Sequence, residues 1–147
     1  MSNQHILVPV DGSKISFSAV KKAAEIAKAF NGQLLIISLI AENPFDDADF
    51  YYPSSIMKEY FIEAHKNAEA ALAEAKTIAE NEQITAETRI ITGLVNAETI
   101  TKTAHDHQSD LIVIGSHGRK GFQKMILGSF AHDVLAQTEI PVLVVKK

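Results

Sequence analysis

The sequence predicts an α/β protein with a doubly wound, five-stranded parallel sheet in the order 3-2-1-4-5 and helices on both faces. Three observations carry this. Apolar runs and helical periodicities alternate from one end of the chain to the other, the pattern of parallel strands joined by crossover helices. The runs are short and nearly continuous in apolar character, as strands buried on both faces require. One of them, Asp110 to Ile114, leads directly into Gly115-Ser116-His117-Gly118, and Gly128-Ser129 follows nine residues later. These first glycines therefore sit where a parallel strand ends, which is where open α/β sheets bind ligands.

His5 to Val10 reads as the first strand. Asp11-Gly12-Ser13 supplies a turn and a cap, after which Phe17, Val20, Ala24, Ala27 and Phe30 recur at helical spacing until Asn31-Gly32 offers a left-handed stop. The second strand runs from Leu34 to Leu39 or Ile40. Ala41 to Pro53 then breaks the rhythm with Asn43-Pro44, three aspartates and the aromatics Phe45, Phe50, Tyr51 and Tyr52. A long excursion lies there where a short connection would suffice, and the loop is either ordinary satellite packing or a lid or partner surface.

Ser54 to about Asn81 is an Ala- and Glu-rich helix whose inward stripe is Met57, Phe61, Ala64, Ala68, Ala71, Leu72, Ala75 and Ile78. Ala86 to Thr92 is a third strand, with Glu87 and Arg89 facing outward as an edge position allows. Asn96 caps a helix reaching about His107, Leu111 to Ile114 is the fourth strand, a helix opens near Gly128, and Val142 to Val145 is the last strand. Right-handed crossovers with one reversal of winding place the first and fourth strands side by side. Asp11 and Gly115, at their carboxyl ends, then share one crevice.

The 147 residues suit a single domain, 1–147, and 46% apolar against 22% charged residues is the balance of a soluble globular chain. A net charge of -4 without a long basic cluster argues against nucleic acid as partner. The absence of cysteine removes disulfides, thiolate metal sites and a catalytic thiol. The amino-terminal residues carry no basic segment, and Ile6-Leu7-Val8 is too short for a signal core or membrane span. The expectation is a cytoplasmic protein without membrane insertion.

A phosphate chain needs several N–H donors at close range, and glycine lets the main chain approach without a Cβ in the way. Gly115 and Gly118 would shape one cradle; Gly128 and Ser129 would open the next helix, whose unpaired N–H groups and positive dipole end favour anions. The spacing is neither the Walker arrangement, since no lysine follows Gly128, nor the dinucleotide fingerprint. Glycines that merely make tight turns are the alternative. His117 lacks a carboxylate at a recognisable spacing to orient it as a base, so it is read as a contact residue rather than a catalytic one. His105 and His107 face different ways on a helix, and His5, His65 and His132 stand apart, which argues against a metal set.

The pattern Gly115-x2-Gly118-x9-Gly128-Ser129, together with Ile6-Leu7-Val8-Pro9-Val10-Asp11-Gly12-Ser13 and Pro141-Val142-Leu143-Val144-Val145, closely resembles the single-domain, ATP-binding branch of the universal stress protein family. The resemblance covers essentially the whole chain and implies a Rossmann-like fold of the adenine nucleotide alpha hydrolase type. It further implies that Pro9, Val10 and Asp11 line a nucleotide site, that Leu39 lies against adenine, and that Ile114 and Gly115 form the floor beneath the ribose. His117 and Gly118 would belong to the first phosphate loop and Gly128, Ser129 and Phe130 to the second, although a small aliphatic residue is expected where Phe130 stands. Arg119, Lys120 and Lys124 would screen phosphate charge or remain solvated surface residues.

Asp11 is a candidate for ribose hydroxyls, for Mg²⁺ beside the phosphates, or for capping the helix that begins near Ser13. The resemblance also implies a homodimer joined through Val142, Leu143, Val144 and Val145, paired antiparallel across a two-fold axis. The leading functional reading is a nucleotide-dependent regulatory protein of the stress response, binding ATP or another adenine nucleotide, with a protein partner the sequence does not identify. The alternatives are a slow Mg²⁺-dependent ATPase and an interaction module without nucleotide.

Overall fold

The strands pair in the order 3-2-1-4-5, all parallel, as the alternation of the sequence predicts. The computed structural model describes residues 5–42, 55–117 and 127–147. Its elements are β1 (His5–Pro9), α1 (Lys14–Phe30), β2 (Gln33–Ala41), α2 (Ser55–Asn81), β3 (Ala86–Gly93), α3 (Ala97–Asp106), β4 (Leu111–Gly115), α4 (Ser129–Gln137) and β5 (Val142–Val145).

Each central strand presents one set of side chains to each helical layer, because successive residues of a strand point to opposite faces. Ile6, Val8, Leu34 and Ile36 join α1 and α2 in one core. Leu7, Leu35, Ile37, Ile112 and Ile114 join α3 and α4 in the other. Register follows this division, with Val8 beside Ile36 and Ile36 beside Thr88. On α2 the predicted stripe holds at Ala68, Ala71, Leu72 and Ala75, and Ala79 extends it. Phe30 departs from its stripe: it is 51% exposed, because at the last position of α1 the helix has run past the start of β2.

Polar side chains set the helix ends. Asn31 itself takes the left-handed conformation that stops α1 (φ 55°), and the Gly32 N–H bonds the Ala27 carbonyl at 2.7 Å. Asn96 caps α3, its Oδ1 accepting the Thr99 N–H at 3.0 Å. Gly93, which ends β3, has a φ of 154° that disfavours any side chain. Both β3 and β5 are edges, and Glu87 pairs with Arg89 on the exposed face of β3. The aromatic excursion from Phe45 to Tyr52 lies outside the described residues. Among the described residues no helix is long and apolar enough to cross a membrane.

Candidate functional site

Winding reverses between β1 and β4, since α1 and α2 cover one face and α3 and α4 the other. The chain leaves these two neighbouring strands in opposite directions and opens a crevice above their carboxyl ends. Its volume is about 1490 Å³, larger than the roughly 300–1,000 Å³ of a typical small-molecule site. Pro9, Val10 and Asp11 enter it from the end of β1 and Leu39 from β2. Ile114, Gly115 and His117 come from the end of β4, and Gly128, Ser129 and Phe130 from the start of α4. Ten of the twelve residues singled out for a nucleotide thus line one hollow. Gly118 and Arg119, with Lys120 and Lys124, lie outside the described residues.

The two bends meet directly. The Gly128 N–H donates to the Ser116 carbonyl at 2.6 Å, and a Cβ on Gly128 would fall 2.9 Å from that oxygen and 3.1 Å from His117 Cα. Glycine is therefore required at 128 by backbone against backbone. Its own N–H is consumed in this contact, so an anion at this helix start would meet the next N–H groups, Ser129 to Ala131. No side chain caps α4, and its first internal bond is His132 N–H to Gly128 O at 2.9 Å.

Gly115 has a different cause. A Cβ there would lie 3.1 Å from Ile15 Cγ1, so its bare backbone admits the first turn of α1. Gly115, a phosphate-loop glycine by its sequence pattern, has a packing role in the structure as well as a place in the lining.

Asp11 does not cap α1 directly. Ser13 does, its Oγ accepting the Ser16 N–H at 3.2 Å, while Asp11 Oδ1 accepts both the N–H (2.9 Å) and the hydroxyl of Ser13. The carboxylate thus braces the cap and lines the crevice at once. Ser13→Ala removes the acceptor for Ser16 and one donor to Asp11, and is expected to lower stability by about 1 kcal/mol, measured by urea unfolding; an unchanged midpoint would contradict the capping role.

His117 is half-buried with Nδ1 2.9 Å from Ser116 Oγ, so a hydroxyl is its neighbour. Phe130, where a small aliphatic residue was expected, turns part of its ring into the core beneath α4 while still lining the hollow. His5 does not stand apart: its ring lies edge-on to His107, centroids 6.1 Å apart, because Asp110 ties the start of β1 to that of β4 through the His5 N–H at 3.0 Å. Among the described residues no group of three or more His, Asp or Glu is placed to hold a metal ion.

The structure adds residues that the sequence reading did not single out for the site. Ser16 and Ser38 enter from the α1 and α2 side of the sheet, and Tyr60, Glu63 and Asn67 from α2. Ser38 carried a legible signal, being the lone polar residue in the run Leu34 to Ile40.

The model of the universal stress protein family matches residues 2–146. A universal stress protein of Methanocaldococcus jannaschii is 34% identical over 146 residues, covering 97% of this chain and 81% of its own length. A universal stress protein solved in complex with cAMP is 27% identical, with a TM-score of 0.74 over 99% of this chain and 98% of that one. The Archaeoglobus fulgidus universal stress protein solved with dAMP shares the fold at a TM-score of 0.75 and 22% identity, covering 99% of this chain and all of that one. A family match spanning nearly every residue, on a sheet wound in the family's manner around a glycine-lined crevice, makes this chain a member of the universal stress protein family.

Proposed function

We propose that the chain is a single-domain, nucleotide-binding universal stress protein that holds an adenine nucleotide, ATP foremost, above the ends of β1, β2 and β4. One observation carries the reading. The Gly128–Ser116 contact fixes the uncapped start of α4 against the bend after β4, so both segments line one hollow whose remaining lining includes Leu39, Ile114 and Asp11. The base lies across the end of β2, with Leu39 on one side and the face that carries Ser38 on the other, the ribose over Ile114 and Gly115, and the phosphates between the His117 bend and Ser129. The cAMP and dAMP complexes of related proteins support an adenine nucleotide in this role.

Mg²⁺ would accompany the phosphates and carry off part of their charge, with Asp11, at the end of β1, the carboxylate that would meet it. The chain's own part is to bind and orient. His117 meets a phosphate oxygen, and regulation through occupancy requires no general base. Acid-released nucleotide from the purified protein, and calorimetry with Mg-ATP, test the reading. Bound adenylate or a saturable heat with a thermal shift is expected; neither nucleotide nor heat would overturn it.

The same reading makes β5 the dimer seam. It pairs only with β4 among the described strands, and Leu143 on it is 37% exposed, an apolar edge that a second copy would cover. Leu143→Glu is expected to weaken self-association at least tenfold by sedimentation, with the far-UV spectrum unchanged; a dimer of undiminished strength would rule out this edge.

A further inference from the structure

The crevice has a second wall, formed by the face of the sheet under α1 and α2 rather than by the nucleotide loops. Ser38 is its centre. It is 4% exposed and lies on the same face of β2 as Leu34 and Ile36, yet its hydroxyl makes no hydrogen bond among the described residues and lines the crevice. The hydroxyl therefore keeps a donor and an acceptor available to whatever enters the hollow.

Across from it, Ala64 and Ala68 of α2 line the crevice with small apolar side chains. Val10 and Ile40 supply apolar surface from the sheet side. A gap with apolar walls and few polar groups suits a flat heteroaromatic ring. On the same helix, Glu63 and Asn67 stand one turn apart and reach the crevice from its solvent side.

We infer that this wall reads the edge of the purine: Ser38 and Asn67 hydrogen-bond it, and Glu63 selects an amino group over a carbonyl. The inference rests on the nucleotide reading above and adds base selectivity to it. The roles differ by chemistry. A serine hydroxyl and a carboxamide each donate and accept, so they grip either kind of edge. An ionised carboxylate only accepts, so Glu63 is compatible with the exocyclic amino group of adenine and opposed to the carbonyl oxygen of hypoxanthine or guanine.

The test compares Mg-ATP with Mg-ITP, which differ at that edge, by calorimetry on the parent protein and on Ser38→Ala, Asn67→Ala and Glu63→Gln. The parent is expected to prefer ATP. Glu63→Gln should shrink the ATP-to-ITP ratio about fivefold or more, and Ser38→Ala and Asn67→Ala should weaken both ligands about two- to tenfold. Thermal unfolding without nucleotide supplies the second readout. Ser38→Ala should leave Tm unchanged, since it deletes no hydrogen bond within the protein, whereas a purely structural serine would lower it. If ATP binds and neither ratio nor affinity moves in any variant, the inference falls and the nucleotide reading stands. If the parent binds neither nucleotide, the nucleotide reading fails and this inference with it.

Discussion

Gly128→Ala is expected to weaken adenine nucleotide binding by about tenfold to a hundredfold and to lower Tm. The added Cβ meets the Ser116 carbonyl at 2.9 Å and His117 Cα at 3.1 Å, and both are main-chain atoms that cannot rotate away. Relief requires moving the start of α4 off the bend after β4, which stretches the 2.6 Å bond between Gly128 and Ser116. Forced overpacking costs about 1–3 kcal/mol, and each 1.4 kcal/mol lost from binding is a factor of ten. The N–H groups at the uncapped start of α4 move with the helix, so they would no longer be held where the proposed phosphate site needs them. Calorimetry with Mg-ATP on parent and variant measures the effect; an affinity within twofold of the parent would mean that the contact between the bends is not what positions the ligand.

Ile36→Ala is expected to produce the largest loss of stability, about 2–5 kcal/mol. Ile36 is fully buried, lies between Val8 and Thr88 in the sheet, and faces the core shared by α1 and α2. Truncation removes transfer energy and leaves a cavity that a hydrogen-bonded sheet closes poorly. Denaturant unfolding should show a lower midpoint with little change in slope, and Tm should fall by on the order of 10 °C for a chain of this size. A loss below 1 kcal/mol would show that the layer between sheet and helices collapses around the gap.

The strands and their order were legible because buried parallel strands are written as continuous apolar runs, and the runs here are separated by stretches whose period is that of a helix. Asn31-Gly32 and Asn96 marked helix ends for reasons intrinsic to one or two residues. The reasons for particular glycines were not legible in the same way. Gly115 makes room for Ile15, a hundred residues earlier in the chain, and Gly128 makes room for the backbone at Ser116 and His117. Both look locally like phosphate-loop glycines, because a pattern read along the chain carries no distance between segments that only folding brings together.

The same limit applies to Asp11, whose engagement with Ser13 is visible in a three-residue stretch, while its place in the lining depends on β4 lying beside β1. Ser38 was the missed opportunity. A single hydroxyl within an otherwise apolar buried strand is a local anomaly, and its position near the carboxyl end of β2 made it a candidate for the crevice. Glu63 and Asn67 offered no such signal, since polar residues on the open side of a long helix are ordinary.

The bend after β4 is fastened at its outer side by the Ser116 N–H, which bonds the Val145 carbonyl at 2.8 Å. One peptide therefore separates the proposed seat of the phosphates from the strand proposed to join two copies. Proposed cargo and proposed assembly would thus act on opposite ends of the same short tether, and reciprocity would fix the sign between them: a cargo that tightens the pair would itself be retained more firmly by the pair than by a lone copy.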